Sequence, residues 1–187
     1  MPPKVKITKE DIIKNALELI RDEGVAELNA RSIAARLGCS TQPIFSNFET
    51  MERLEEAVKV AAYESYAGYL SREVESGKYP AYKAMGMAYI RFAKEEKELF
   101  KLLFMCDRAD KELSPTEDFK TSVEIIKKNN GLSEEKATFI HLEVWACVHG
   151  IATMLATSFL TFEWELIEDM LTDVYQGIRA RHASQEN

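Results

Sequence analysis

The sequence predicts an all-α protein: an N-terminal three-helix head holding a helix-turn-helix, then a helical body, about nine helices in all. Three observations carry that prediction. Nowhere does apolar/polar alternation persist at the two-residue period of a strand. Apolar residues instead recur three and four apart between recognisable caps, and Asn29–Phe48 (NARSIAARLGCSTQPIFSNF) reads as two short helices joined by a glycine turn.

Taken in order, Thr8-x-x-Asp11 is a capping box, Ile12, Ile13, Ala16, Leu17 and Ile20 carry the first apolar stripe, and Gly24 ends it. Asn29 is a natural N-cap, with Ile33, Ala34 and Leu37 facing inward. Gly38 supplies the positive φ of a tight turn, and Cys39 is small enough to bury beneath it. Ser40 is expected to cap the next helix, whose Pro43 is tolerated because first-turn amides lack helical partners. Ile44 and Phe48 then point inward, leaving Thr41, Gln42, Phe45, Ser46 and Asn47 outside. Such a helix suits a major groove better than a core.

Thr50 caps a long helix over 51–76, about 38 Å at 1.5 Å per residue, stopped by Gly77. Tyr79–Lys94 and Glu95–Cys106 form two helices or one bent one. Ser114-Pro115-Thr116-Glu117 is a helix start, and Asn129-Asn130-Gly131 a stop. Ser133 opens a helix to about Phe159, and Thr161 opens the last, to about Ala180.

Composition bounds the class. The three cysteines (Cys39, Cys106, Cys147) are scattered, which argues against a disulfide framework or zinc module. The first residues, MPPKVKITKEDIIK, carry charges where a signal peptide needs an apolar run, so cytoplasm is expected. Val144–Phe162 is 19 residues without Asp, Glu, Lys or Arg, just long enough for a membrane. Its His149, Gly150, Thr153, Thr157, Ser158 and Thr161 fit a helix buried in a core or between subunits better. Net charge is -7, yet residues 1–50 hold seven basic and seven acidic side chains, so the remaining 137 carry all of it. The head is electrostatically separate, with Lys4, Lys6 and Lys9 as a basic arm.

These motifs resemble the TetR family of transcriptional regulators over about fifty residues: Gly24, Asn29-Ala-Arg-Ser-Ile-Ala34, Leu37-Gly-Cys-Ser40, Ile44-Phe45, Phe48 and Leu54. Trp145-Ala-Cys-Val-His149-Gly150 resembles a Trp…His-Gly signature in one class of these regulators, and Phe100–Met105 fits the same class. The resemblance implies a DNA-binding head (1–50) and an effector-binding and dimerisation domain (51–187). It implies a homodimer, a small-molecule effector and DNA release on ligand binding; a two-fold dimer in turn demands pseudo-palindromic operator DNA, and no cofactor is expected. Two departures stand out. The family usually has Tyr at Phe45 and Lys at Met51, so two phosphate donors are missing.

The expected DNA-binding residues are Lys6, Asn29, Arg31, Ser40, Thr41, Gln42, Pro43, Phe45, Ser46, Asn47 and Thr50. Gln42 can pair with adenine, Pro43 can touch a thymine methyl, and Thr41, Ser46 and Asn47 can reach a base or phosphate. No Arg lies between 41 and 47, so guanine readout falls to Arg31 or the arm. Tyr63, Tyr66, Met85, Tyr89, Phe92, Phe104, His141, Trp145 and His149 are the candidate effector pocket, against the plainer reading that they fill the core. His141 and His149 stand about 12 Å apart along a helix, too far to share one small ion, so no metal site is expected. Trp164, Ile167, Leu171, Val174 and Ile178 form a coiled-coil-like seam; with Gly150, Ala152 and Leu155 they are the expected dimer surface, unless the same stripes pack within one chain.

No segment offers a nucleophile with a base or paired carboxylates, as an enzyme would need. A ligand- or partner-binding module that no longer reads DNA, and a ligand-dependent activator, are the alternatives.

Overall fold

The computed structural model describes residues 7–106 and 116–183. Lys4, Lys6, Ser114 and Pro115 therefore lie outside the described residues. Among those described, nine α-helices and one 3-10 turn form, and no strand. They are α1 (Lys9–Glu23), the 3-10 turn Val25–Glu27, α2 (Ala30–Arg36), α3 (Gln42–Phe48), α4 (Met51–Glu75), α5 (Ala81–Glu95), α6 (Lys97–Phe104), α7 (Glu117–Asn130), α8 (Glu134–Ala156) and α9 (Trp164–Ala183). The all-α prediction holds, with shifts of a few residues at several helix ends.

The chain divides into two compact units: one comprises the chain to Tyr66 with Glu96–Cys106, the other Ala67–Glu95 with the chain from Asp107 on. Compactness thus divides the chain differently from the boundary expected at residue 50.

In the first unit, the Thr8 hydroxyl accepts the Asp11 amide at 3.1 Å while the Asp11 carboxylate accepts the Thr8 amide at 3.0 Å. Those contacts also hold the Asp11 carboxyl below its usual range. α1 buries Ile12, Ala16, Leu19 and Ile20, so Leu19 rather than Leu17 completes its inner face. It packs on α2, α3 and α6. From α6, Leu99, Phe100, Leu102 and Leu103 are buried, so the head's core is completed by a helix that follows α5 in sequence. α4 contributes Leu54, Val58, Ala62 and Tyr66.

The second unit is built around α8, which packs on α5, α7 and α9. α8 is long and apolar enough to cross a membrane by length and composition. Its buried residues Ala137, Ile140, His141, Val144, Val148, Ile151, Ala152, Leu155 and Ala156 make it the unit's central helix, which accounts for that composition. At Gly86 of α5 an added Cβ would lie 3.1 Å from a Leu171 methyl and 3.6 Å from Val148, so α5 meets α8 and α9 closely there. Each fully buried Leu, Ile or Phe contributes about 1.5–3 kcal/mol. Exposed ion pairs such as Lys120–Glu117 contribute about 0–1 kcal/mol, so packing and not surface charge holds the fold.

The expected stop at Gly131 holds: it is left-handed (φ 65°). Ser133 caps α8 by accepting the Lys136 amide at 3.3 Å. α8 ends at Ala156, short of Phe159, because Ser158 turns into the left-handed region (φ 56°). α9 starts at Trp164 instead of Thr161. α7 begins at Glu117, after Thr116.

Candidate nucleic-acid interface and effector region

Asn29 positions α2 by accepting the amides of Arg31 (3.1 Å) and Ser32 (3.0 Å) on its side-chain oxygen, while its amide nitrogen donates to the Glu27 carbonyl at 3.0 Å. Its side chain therefore orders the helix start. Ile33 and Ala34 are buried, Leu37 and Cys39 half-buried, and Gly38 takes φ 64°. Ser40 does not cap α3. The Ile44 and Phe45 amides both donate to the Thr41 carbonyl (3.2 and 3.3 Å), so α3 starts one residue later, without a side-chain cap.

Ile44 and Phe48 of α3 are buried; Gln42, Phe45 and Ser46 are exposed, and Pro43 and Thr41 partly so. Ser40, Gln42 and Pro43 also edge an open groove with Leu37, Gly38, Asp11 and Asn15. Asn47 behaves differently from expectation. It is half-buried, and its amide nitrogen donates to the Pro43 carbonyl at 2.7 Å and towards the Ile7 carbonyl at 3.5 Å. It braces α3 against the start of the chain.

The α3–α4 junction is tight. Glu49 adopts φ 62°, ψ −50°, and the Thr50 amide donates to the Phe48 carbonyl at 2.7 Å, a γ-turn. That amide is spent within the turn, although Thr50 is among the expected DNA-binding residues. The Thr50 hydroxyl caps α4 by accepting the Arg53 amide at 3.3 Å.

The head's cations sort into two groups. Arg21 is held by Glu96 (2.8 Å), and Arg36 by Asp22 (2.5 Å), with Glu18 at 3.9 Å and Glu23 at 4.0 Å. Arg36 is kept charged above its usual range by that hydrogen bond. Among the described residues Arg31 makes no ion pair, and it is exposed. Lys9 lies over the Phe48 ring at 5.4 Å. Arg53, which the sequence did not single out, is exposed in the first turn of α4, and among the described residues its one ion pair is with Glu49 at 3.8 Å. An Arg two places beyond Met51 was the signal for it.

The expected effector residues fall into both units. In the first, Tyr66 is buried edge-on between Tyr63 (5.6 Å) and Phe104 (5.2 Å). In the second, α5 and α8 are joined by two tyrosine–histidine hydrogen bonds, Tyr82 to His141 Nδ1 and Tyr89 to His149 Nδ1, both 2.9 Å. Burial lowers the His141 pKa to about 4, against a weaker opposing pull from Asp118, and lowers that of His149 too. Both imidazoles are therefore neutral at pH 7. Phe92 is buried and meets Tyr69 edge-on at 5.4 Å; Met85 accepts the Ser122 hydroxyl at 3.6 Å. Trp145 does not face inward: it is 42% exposed and stacks on His149 at 4.9 Å. Thr153, one turn after His149, has a buried hydroxyl without a hydrogen-bond partner among the described residues.

The expected dimer residues divide as well. Ala152, Leu155, Ile167 and Leu171 are buried within the single chain, because α9 turns its seam onto its own unit. They cannot form a surface for a second copy. Val174 and Ile178 are half-buried, and Gly150 has open space beside it. The outward apolar residues of α8 are instead Phe139, Leu142 and Trp145.

Comparison with known proteins agrees with this geometry. Residues 82–174 match the tetracyclin repressor-like C-terminal domain. An uncharacterized HTH-type transcriptional regulator from Mycobacterium tuberculosis is 23% identical over 160 residues, covering 83% of this chain and 73% of the relative. A protein with unknown function from Rhodococcus sp. RHA1 superposes with TM-score 0.71 at 19% identity, over 96% of this chain and 97% of that one. A TetR-like transcriptional regulator from the same organism gives 0.66 at 13% identity, over 98% of each. A TetR variant from Acinetobacter baumannii AYE in complex with minocycline gives 0.59 at 16%, over 97% and 99%. By fold and sequence the proteins this chain is similar to include helix-turn-helix transcription regulators. Over residues 82–174, just under half of its length, the chain resembles the TetR family.

Proposed function

We propose that the protein is a cytoplasmic, ligand-responsive repressor that binds a pseudo-palindromic operator as a homodimer and is released by a small, largely apolar effector. The observation carrying this reading is α3: its inner side, Ile44 and Phe48, is buried, while Gln42, Phe45 and Ser46 stand outside with no charge among them. A short helix so divided has an uncharged polar face to offer base edges. Gln42 is the proposed adenine reader; Arg31 and Arg53, with the Lys6 arm, supply phosphate contacts in place of those Phe45 and Met51 lack. Asn29, Asn47 and Thr50 serve by ordering helix ends.

Dimerisation is assigned to the outer face of α8, with Phe139, Leu142 and Trp145 around the small Ala146 and Gly150. Exposed large apolar side chains in a row favour burial against a like surface. The reader helices of such a dimer must stand about 34–36 Å apart, one DNA turn.

The effector is assigned to the second unit, near Tyr89, His149 and Thr153, where the unpartnered hydroxyl awaits a polar group. Release is a population shift in which the ligand prefers a tilted α4, the helix that carries Leu54 and Val58 at one end and Tyr69 nearer the other. A coupling of about 1–3 kcal/mol changes DNA affinity about 5–150-fold. Cross-linking that locks α4 should abolish ligand-induced release; release that persists would refute the lever.

The deciding experiment is fluorescence anisotropy on DNA from upstream of the protein's own gene, at two salt concentrations with unrelated competitor. Saturable binding of two protomers that resists competitor supports the regulator. Binding no tighter than to unrelated DNA counts against autoregulation and favours a partner- or ligand-binding module; ligand that strengthens binding makes the protein an activator.

A further inference from the structure

Within the first compact unit, a cavity of about 490 Å³ lies against the 3-10 turn, the first turns of α4 and the end of α6. Val25, Leu28, Leu102 and Met105 give it apolar walls. Four charged side chains complete it, and they are not equivalent. Glu98 and Lys101 neutralise each other at 2.5 Å. Glu55 and Lys59 do not: among the described residues neither forms an ion pair or hydrogen bond, although both are half-buried. They stand four apart on α4, one turn from each other on the same face, in the order that usually lets glutamate and lysine pair. Two opposite charges, partly withdrawn from water and unpaired beside an apolar wall, gain from a ligand that carries both complementary charges.

We propose that this cavity binds a small zwitterion of the α-amino-acid type with an apolar side group. Its ammonium meets Glu55, its carboxylate meets Lys59, and its side group lies on Val25, Leu102 and Met105. A carboxylate alone would satisfy Lys59 and leave Glu55 unpaired; an amine alone would do the reverse. The site is separate from Tyr89, His149 and Thr153, and it does not depend on the DNA-binding reading. Because the 3-10 turn leads directly into the Asn29 cap of α2, an occupant also touches the segment that sets the helix-turn-helix in place.

Cys106 borders the cavity and is exposed, whereas Cys39 and Cys147 are half-buried and lie outside its lining. The test is alkylation of the full chain by iodoacetamide, followed cysteine by cysteine by mass spectrometry, with L-phenylalanine, 3-phenylpropionate or 2-phenylethylamine present. L-Phenylalanine at ten times its Kd should slow alkylation of Cys106 about tenfold, in proportion to the free fraction, with Cys39 and Cys147 unchanged. The two single-charge analogues should protect far less. Glu55→Gln and Lys59→Met should each weaken protection by L-phenylalanine about tenfold or more, the effect of losing a charged hydrogen bond. Unchanged helical circular dichroism and melting would show both variants folded. Equal protection by either analogue, an unchanged Kd in both folded variants, or no slowing of Cys106 at millimolar amino acid would overturn the proposal.

Discussion

At the scale of single residues, the side chains that looked most chemical divide into those that order the fold and those left outward. His141 belongs to the first kind. Its folded pKa, about 4, lies below the ordinary histidine value, so the unfolded chain binds a proton that the folded chain refuses. Stability from this group is complete above the unfolded pKa near 6.5 and falls as pH drops towards 4. From pH 7 to 5 the loss is about 2 kcal/mol, less any solvent screening. Urea titrations should show that drop in the wild type and a shallower one in His141→Gln. Asn47 and Gln42 should separate cleanly. Asn47→Ala removes the brace to Pro43 and should lower thermal stability by about 1 kcal/mol. Gln42→Ala should leave melting unchanged while reducing discrimination at one A·T pair of an operator by about 1–3 kcal/mol, read by anisotropy on single-substituted sites. The identities of these residues were legible in sequence, but their commitments were not. Nothing local distinguishes an outward Asn from one whose amide reaches a carbonyl forty residues away at Ile7.

At the scale of elements, capping chemistry was readable because it is local. Thr8 with Asp11, Asn29, Gly38, Gly131 and Ser133 each act within four residues of themselves. The facing of α9 was not readable, since a seam at Ile167 and Leu171 looks the same whether it meets its own chain or another. Gly86 decided it by letting α5 approach α9 closely, a contact between positions 85 residues apart. α8 then presents Phe139, Leu142 and Trp145 outward, and two substitutions probe that face. Leu142→Asp should convert a dimer to monomer in sedimentation equilibrium while leaving the helical signal intact. Gly150→Ala adds a methyl that meets nothing within 4 Å in the single chain, so the dilute protein should gain up to about 1 kcal/mol of helix stability. If Gly150 lies where two α8 helices cross, the same methyl should weaken dimerisation. A rise in stability with no change in dissociation constant would place the interface elsewhere.

At the scale of the whole molecule, fold class and the family resemblance were visible in sequence, but the division into compact units was not. The helix-turn-helix motif ends near residue 50, and that is where sequence suggests a boundary. The head's core nonetheless draws on Leu99, Phe100, Leu102 and Leu103 of α6. A fragment of residues 1–50 should therefore show weak, non-cooperative helical melting, whereas the full chain melts cooperatively; a sharp transition in the fragment would show that α6 is dispensable. This interleaving matters on the ribosome. Translation at about 5–20 residues per second releases α1 to α4 several seconds before α6 can leave the exit tunnel. During that interval the face of α1 that packs on α6 has been made but not yet covered. The head is thus kept immature until α5, a helix of the other unit, has already been synthesised.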